Sequence, residues 1–403
     1  MTKQRFFEHE GFEFLTLIAL GSASYGTAEV GEVLATVDQI DDGDMDSWFE
    51  GWMGTGERVR AIAESAEAAG HRESARCAYL RAASYIATAF FYVLGTNDAS
   101  RSLATWRRHR QCFDRATRLW PSPVEAIEIP YEDTTLHGYF FSGGTGRRPL
   151  VILNNGSDGP VSDMIPMGAA DAVARGYHAL TFDGPGQGHA LYEQELYFRH
   201  DWEAVVTPVV DAALARSDVD GDRIALLGVS QAGYWVPRAA AFDHRLAAVV
   251  ADPGVVRVAA SWLGHLPEAM LQLLADGEDE AFDEFMQAAA EGDSALQLTL
   301  AKRMEPYGLG SMAAVYHELD RWDLTDVAGA IACPILITDP DDEQFWPGQS
   351  RELYDLVDHP TKALVHFSAE EGANWHCEPA APQLRAQRIF DWLDDVFEVD
   401  AAG

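Results

Sequence analysis

One serine lies in a sequence pattern typical of a catalytic nucleophile. Ser230 stands in the stretch GVSQAG, Gly228–Gly233, directly after the apolar run Ile224–Leu227 and directly before a helix-like run. A strand, a sharp turn and a helix in this order form a nucleophile elbow, which exposes the serine hydroxyl at the positive end of the helix. Only small residues can flank such a strained turn. Ala232 replaces the last glycine of the usual G-x-S-x-G pattern, and Gly233 follows it.

A serine hydroxyl is a weak nucleophile at neutral pH and needs a neighbouring base. His376 is the best candidate because it lies in EGANWHC, Glu371–Cys377, between the last predicted strand and the last predicted helix. The other histidines do not occupy a loop after a strand so late in the chain. His366 lies inside the predicted strand Leu364–Phe367 and is expected to be a packed or edge residue.

The base in turn needs an acid that fixes its tautomer and stabilises the imidazolium. The predicted strand Ile335–Thr338 runs into DPDDEQFWP, which carries four acidic residues. In many hydrolases the acid stands four residues before a proline that begins the next helix, and this spacing selects Glu343. Asp342 is the close alternative, and Asp252, after the predicted strand Ala247–Ala251, is a third. The order serine, acid, histidine agrees with that expected after a nucleophile elbow.

Acyl transfer also requires donors for a developing oxyanion. The backbone N–H of Gln231, the residue after the serine, is predicted to supply one. The second is expected from the loop after the predicted strand Leu150–Asn154. The amide of Ser157 is favoured there, with Gly156 and Asp158 as neighbours.

Other conspicuous residues indicate no cofactor and no metal. The glycine-rich stretch Asp183–Gly188 lacks the Lys-Ser/Thr ending of a P-loop and the spacing of a dinucleotide fingerprint, so tight turns beside the active site are predicted. The cysteines are scattered without a C-x-x-C pair, which favours neither a zinc site nor a disulfide framework. Cys377, next to His376, is expected to be a structural thiol. The cysteines are Cys77, Cys112, Cys333 and Cys377.

These residues must be positioned by a mostly parallel sheet covered by helices on both faces. Apolar runs of strand length alternate with amphipathic stretches over most of the chain, which is typical of α/β proteins. Strands are predicted at Val124–Ile129, Leu136–Phe141, Leu150–Asn154, His178–Phe182, Ile224–Val229, Ala247–Ala251, Ile335–Thr338 and Leu364–Phe367. Helices are predicted at Glu73–Tyr92, Asp163–Arg175, His200–Ala215, Gln231–Phe242, Gln349–Leu356 and Pro382–Phe397.

Two regions lack this alternation and divide the chain into four predicted segments. Residues 1–124 read as helical and form an N-terminal cap domain. Residues 125–254 form the first part of the core. Residues 255–326 contain no convincing strand and are predicted to be a helical lid insertion, since insertions of this size between strands are commonly lids. Residues 327–403 complete the core.

The charge balance restricts the partners. Acidic residues outnumber basic residues by 64 to 29, which gives a net charge of −35 over 403 residues. Such a surface repels nucleic-acid phosphates and anionic membranes, and a small-molecule substrate is expected instead. The apolar runs are shorter than a bilayer requires and the N-terminus lacks the apolar stretch of a secretory signal, so a cytoplasmic protein is expected.

Five motifs together resemble one branch of the α/β hydrolases. This branch includes 2,6-dihydropseudooxynicotine hydrolase, the fungal heptaketide-shortening hydrolases and fermentation-respiration-switch-like esterases. The resemblance covers nearly the whole chain and implies an α/β-hydrolase fold, a Ser-acid-His triad and often a homodimer whose N-terminal helices cover the active site. Glu343 stands where such relatives usually have Asp. The motifs are Asn154–Gly159, Asp183–Gly188, Gly228–Gly233, Asp341–Gln349 and Glu371–Cys377.

Three functions compete. The first is a serine hydrolase that cleaves an ester, or a carbon–carbon bond next to a ketone, in a bulky aromatic or polyketide-like substrate, since relatives of this branch cleave such bonds. The second is an acyltransferase or cyclase of a biosynthetic pathway that uses the same acyl-serine and excludes water. The third is a non-catalytic binding module, against which the intact serine, acid and histidine argue.

Overall fold

A single sheet organises the molecule. The computed structural model describes residues 5–122 and 124–399, and in these residues the strands form one eight-stranded sheet in the order β1-β2-β4-β3-β5-β6-β7-β8. The first two strands are antiparallel to their neighbours, and β3 to β8 run parallel. The strands are β1 Val124–Tyr131, β2 Thr134–Phe141, β3 Arg148–Asn154, β4 His178–Phe182, β5 Val219–Val229, β6 Ala248–Asp252, β7 Ile335–Pro340 and β8 Lys362–Phe367.

The strand register brings the carboxyl ends of the central strands together. Asn154 at the end of β3 pairs with Gly228 of β5, and Val229 pairs with Asp252 at the end of β6. Residues that follow these strands therefore meet at one edge of the sheet, which is where ligands bind in open α/β sheets. The continuous apolar runs of the central strands reflect burial on both faces.

Helices cover both faces of the sheet and precede its first strand. The α/β fold predicted from the alternation is confirmed, while the division into four segments stays a prediction. The helices before the sheet are α1 Glu10–Ser22, α2 Val30–Val37, α3 Met45–Ala68, α4 Arg72–Phe90 and α5 Ser102–Arg118. Those between β3 and β6 are α6 Ala170–Ala174, α7 Gly188–Tyr192, α8 Glu203–Leu214 and α9 Ala232–Phe242. Those after β6 are α10 Ala260–Leu263, α11 Glu268–Asp276, α12 Asp279–Ala290, α13 Ser294–Met304, α14 Met312–Leu319, α15 Gln349–Leu356 and α16 Pro382–Val396.

Two apolar cores lie on opposite faces of the sheet. Val151 and Leu153 join a core that contains the aromatic residues of α3 and α4, whereas Leu150 and Ile152 join a core that contains Trp262 of α10. The alternation along β3 thus places the N-terminal helices and α16 on one face, and α10, α12 and α14 on the other. The stretch Arg72–Gly95 is long and apolar enough to cross a membrane, but 61% of its apolar window is buried in the protein, as in a core helix.

One predicted helix differs from the structure. The sequence predicts a continuous helix over Asp163–Arg175, but residues 161–169 form a 3₁₀ turn followed by a π turn, and a regular helix begins only at Ala170. Pro166 lacks an N–H, and Gly168 has φ +138°, outside the helical region. A Cβ on Gly168 would lie 3.0 Å from Leu153 of β3, so this glycine lets the segment pack closely on the sheet.

Candidate active site

The serine predicted as the nucleophile lies on a strained turn between β5 and α9. Ser230 has φ +60°, a conformation that non-glycine residues rarely adopt, and its N–H donates a hydrogen bond to the Asp252 carbonyl at 2.6 Å. A Cβ on Gly228 would lie 2.4 Å from the Ala232 carbonyl oxygen, and one on Gly233 would lie 1.8 Å from the Pro253 carbonyl oxygen. Only glycine fits at positions 228 and 233, because backbone carbonyl oxygens lie too close for a side chain. Ala232 is the first residue of α9 and carries its methyl group there.

His376 connects this serine with one acidic residue. Its Nε2 lies 2.8 Å from Ser230 Oγ, and its Nδ1 lies 2.8 Å from Glu343 Oε2 and 2.9 Å from Oε1. The side chains of His376 and Glu343 are only 4% and 6% exposed. The Gln344 side chain accepts a hydrogen bond from the His376 N–H at 3.0 Å, which fixes the backbone of the histidine loop. The structure thus brings together the three residues that the sequence predicted as catalytic.

The Glu343 carboxyl is held in its ionised form. Burial acts to raise its pKa, but the charge and hydrogen bond of His376 act in the opposite direction. The N–H groups of Phe345 and Trp346 also donate to Glu343 Oε1, at 2.9 and 3.1 Å. The stabilising contacts outweigh burial, so the pKa of Glu343 lies below its ordinary value. An ionised acid at this position favours the His376 tautomer with its proton on Nδ1.

The two alternative acids are engaged elsewhere. Asp342 is exposed, its carboxylate bonds the side-chain amide of Asn374, and its N–H donates to the Asn374 carbonyl at 2.7 Å. Asp252 is fully buried, and its carboxylate accepts hydrogen bonds from Thr338 Oγ1 at 2.7 Å and from Arg385 Nη1 at 3.1 Å. The carboxylate beside His376 is therefore that of Glu343.

The loop after β3 lies against the serine. A Cβ on Gly156 would lie 2.7 Å from Ser230 Cβ, so only glycine allows this approach. The Gly156 N–H donates to the Asn155 side chain at 2.8 Å, whereas no acceptor in the described part of the chain takes the N–H of Ser157 or of Gln231. These two amides are therefore available to a ligand, as an oxyanion hole requires.

The glycine-rich stretch after β4 supports this loop. Gln187 Nε2 donates to the carbonyls of Asn155 and Gly156, at 2.8 and 2.6 Å. The Asn154 side chain completes the support by accepting a hydrogen bond from Trp202 Nε1 at 2.6 Å. The sequence placed this stretch beside the site, but the contribution of Gln187 depends on contacts that no local pattern reveals.

The neighbouring cysteine has a different environment from a nucleophile. Burial raises the pKa of the Cys377 thiol well above its ordinary value, and its Sγ lies 3.3 Å from the Asp252 carbonyl, to which the thiol donates.

Within residues 5–122 and 124–399, no group of three or more His, Cys, Asp or Glu side chains has the arrangement of a metal site.

Aromatic side chains surround the base. Phe345 packs edge-on against the His376 ring at 4.7 Å between ring centres, and Phe14 of α1 lies 6.5 Å from the same ring. Phe14 also stacks over Trp375, with ring centres 6.3 Å apart. An N-terminal helix thus reaches the histidine loop, although nothing in the local sequence around Phe14 indicated such a role.

Comparison with a solved structure identifies the fold. The crystal structure of a 2,6-dihydroxy-pseudo-oxynicotine hydrolase matches with a TM-score of 0.74 at 22% identity, over 93% of this chain and 95% of that chain. This likeness confirms the α/β-hydrolase fold. No protein-family model matches the chain.

Sequence relatives place the chain in its family. The hydrolase LUC6 of a Fusarium species is 32% identical over 406 residues, which span 96% of this chain and 96% of the relative. The 20-hydroxy-prefusarin hydrolase FUS2 of Gibberella moniliformis is 30% identical over 406 residues, with the same 96% coverage of each chain. The chain belongs to the α/β-hydrolase family and is an enzyme, which confirms the resemblance drawn from its motifs.

Proposed function

We propose that the protein is a serine hydrolase in which Ser230, His376 and Glu343 form the catalytic triad. The observation that carries this proposal is the continuous hydrogen-bonded chain from the Glu343 carboxylate through His376 to Ser230 Oγ, with 2.8 Å at each ring nitrogen. The amides of Gln231 and Ser157, for which the described residues supply no acceptor, support an oxyanion hole.

The geometry supports a two-step acyl transfer. Ser230 Oγ attacks the substrate carbonyl carbon while His376 Nε2 takes the hydroxyl proton, and the Glu343 carboxylate stabilises the resulting imidazolium. The amides of Gln231 and Ser157 hold the oxygen of the tetrahedral intermediate. The imidazolium then gives its proton to the leaving group. Water, activated by His376, releases the acyl group and regenerates the serine hydroxyl.

The same steps suit an ester or a carbon–carbon bond next to a ketone. In an ester the leaving group is an alkoxide oxygen. In a β-diketone-like substrate the electron pair of the broken bond passes to carbon as an enolate, which His376 protonates. A water-poor site favours the second reaction, since the enolate must be protonated at the catalytic centre.

The helices above the sheet edge support a bulky substrate. We give the name roof to α1 together with α13, since both reach the loops that carry the candidate catalytic groups. Lys302 of α13 lies 3.1 Å from Asp158 of the loop after β3, and its ammonium lies 3.0 Å from the centre of the Phe91 ring. Burial lowers the pKa of Lys302, against the effect of Asp158. One relative is named as a hydrolase of 20-hydroxy-prefusarin, which agrees with an organic small-molecule substrate.

The test compares substrates that differ in leaving group and size. The purified enzyme is incubated in H₂¹⁸O with p-nitrophenyl acetate, p-nitrophenyl butyrate and an aryl β-diketone, with and without a serine-directed phosphonate. Hydrolysis requires one ¹⁸O in the carboxylate product and loss of turnover after the phosphonate labels Ser230. Product formation that needs an added alcohol or amine and leaves ¹⁸O in the water would instead identify an acyltransferase. Cleavage that survives labelling of Ser230 would contradict the proposal.

We also propose three further properties of the protein. They are a homodimeric state, a cytoplasmic location and the absence of nucleic-acid and membrane partners.

A further inference from the structure

A buried charged cluster lies behind the proposed triad. Asp252 at the end of β6, Glu378 two residues beyond His376, and Arg385 of α16 are at most 1% exposed. Arg385 Nη1 bonds Asp252 Oδ2 at 3.1 Å, and Arg385 Nη2 donates to the Pro166 carbonyl at 3.1 Å. We give the name Asp252 cluster to Asp252, Glu378 and Arg385. Three ionisable groups so far from water need a structural reason, because burying charge is costly.

Asp252 connects the two loops that carry the nucleophile and the base. Its carbonyl oxygen accepts the N–H of Ser230 at 2.6 Å and the thiol of Cys377, whose Sγ lies at 3.3 Å. Cys377 directly follows His376 in the chain, so one residue of β6 contacts both loops. Since Ser230 has φ +60°, its conformation persists only where the surroundings hold it. The Asp252 side chain, fixed by Arg385, keeps this carbonyl in place.

Glu378 has no ordinary partner in this cluster. Both of its carboxyl oxygens are buried, and no group among the described residues donates a hydrogen bond to either. Burial raises the pKa of Glu378 well above its ordinary value, and the Asp252 carboxylate raises it further, while Arg385 opposes both. The Asp252 carboxylate acts on Glu378 by its charge and as a hydrogen-bond partner, so a proton on Glu378 allows that carboxyl to donate to Asp252. Other ionisable groups facing the cluster are Glu343 and Cys377 beside Glu378, and Tyr25 and Asp171 on the side of Arg385.

We propose that the Asp252 cluster is a positioning device for the triad, in which a neutral Glu378 donates its proton to Asp252 and Arg385 neutralises the remaining charge. The cluster holds the Ser230 turn and the His376 loop in register without touching the substrate. The inference rests on the proposed triad, and it gives Asp252 a supporting role in place of the role of catalytic acid.

The first test replaces the acid by its neutral isostere. Glu378→Gln keeps a donor toward Asp252, so kcat should stay close to that of the wild type. In the wild type the folded state retains the Glu378 proton while the unfolded carboxyl loses it near 4.5, so stability falls as pH rises above that value. Glu378→Gln lacks this loss. We therefore compare the unfolding equilibrium constants of Glu378→Gln and of the wild type. As pH rises from about 5 to the folded-state pKa of Glu378, the ratio of the variant's constant to that of the wild type should fall by up to about tenfold per pH unit.

A second glutamate on the same loop is the matched control. Glu371 is paired with Arg388, and that hydrogen bond lowers the pKa of Glu371 to about 2. Its stabilising effect is present above 4.5 and is lost as pH falls toward about 2. The difference between Glu371→Gln and the wild type should therefore not change above about pH 5. If the unfolding constants of Glu378→Gln and the wild type also differ by a constant factor above that pH, Glu378 is not neutral in the folded protein.

The second test separates positioning from simple stability. Asp252→Asn leaves Arg385 without its counter-charge, and the displaced Ser230 turn should lower kcat about a hundredfold with KM unchanged. The rate is normalised to the sites that a serine-directed phosphonate titrates, so unfolded protein does not count. If Asp252→Asn leaves kcat per titrated site unchanged while Glu343→Gln impairs the enzyme, the positioning role of the Asp252 cluster is wrong and the proposed triad stands. A harmless Glu343→Gln overturns the proposed triad instead. If Asp252→Asn does not fold, the pH dependence of Glu378→Gln decides.

Discussion

The sheet edge and the roof hold their residues in different ways. At the edge, backbone groups fix two of the proposed catalytic residues: the Asp252 carbonyl binds the Ser230 amide, and two loop amides bind Glu343. In the roof, side chains make the contacts. The ion pair between Lys302 and Asp158 involves an aspartate whose side chain is 50% exposed. Exposed ion pairs contribute little to stability, so the roof is the more adaptable region. The proposed reaction chemistry and the proposed substrate selection are therefore assigned to separate parts of the molecule.

The largest effect should follow from removing the nucleophile at the edge. Ser230→Ala deletes only Oγ and leaves the amide bonded to Asp252, so the fold should persist while kcat falls about a million-fold. Steady-state kinetics on the best substrate, with circular dichroism to check the fold, measures both. More than a few per cent of wild-type activity would show that the serine is not the nucleophile.

A smaller but still large effect should distinguish the two adjacent acids. Glu343→Gln removes the carboxylate next to His376 Nδ1 and favours the wrong tautomer, which in a comparable triad costs about ten-thousandfold in kcat. Asp342→Asn is the matched control, because its carboxylate bonds Asn374 and lies one residue away. Paired kinetic assays that give the reverse ranking would transfer the role to Asp342.

The strands of the edge and the helices of the roof could be predicted from sequence, but the contacts that connect them to the site could not. The apolar runs of the eight strands and the small residues around Ser230 are patterns within short stretches of sequence. The predicted strands also located His376 and Glu343, because both residues lie on loops that follow a strand. By contrast, the contacts of Gln187 and Phe14 join residues far apart in the chain, so no local pattern contains them. Asp252 is an intermediate case. The sequence identified it as a possible acid, but the supporting role proposed for it depends on its partners Thr338 and Arg385.

The smallest effect should come from the roof and should depend on substrate size. Phe14→Ala removes a ring that stacks over Trp375 and faces His376, without touching the hydrogen bonds of the proposed triad. If this ring lines the pocket, kcat/KM for a bulky aryl ester should fall about tenfold while that for p-nitrophenyl acetate stays nearly constant, since a lost apolar contact costs about 1–3 kcal/mol. Phe6→Ala is the matched control, because that ring precedes the same helix and is exposed. If kcat/KM falls equally for both esters, Phe14 supports the histidine loop and does not select the substrate. If kcat/KM is unchanged for both, α1 has no part in substrate selection.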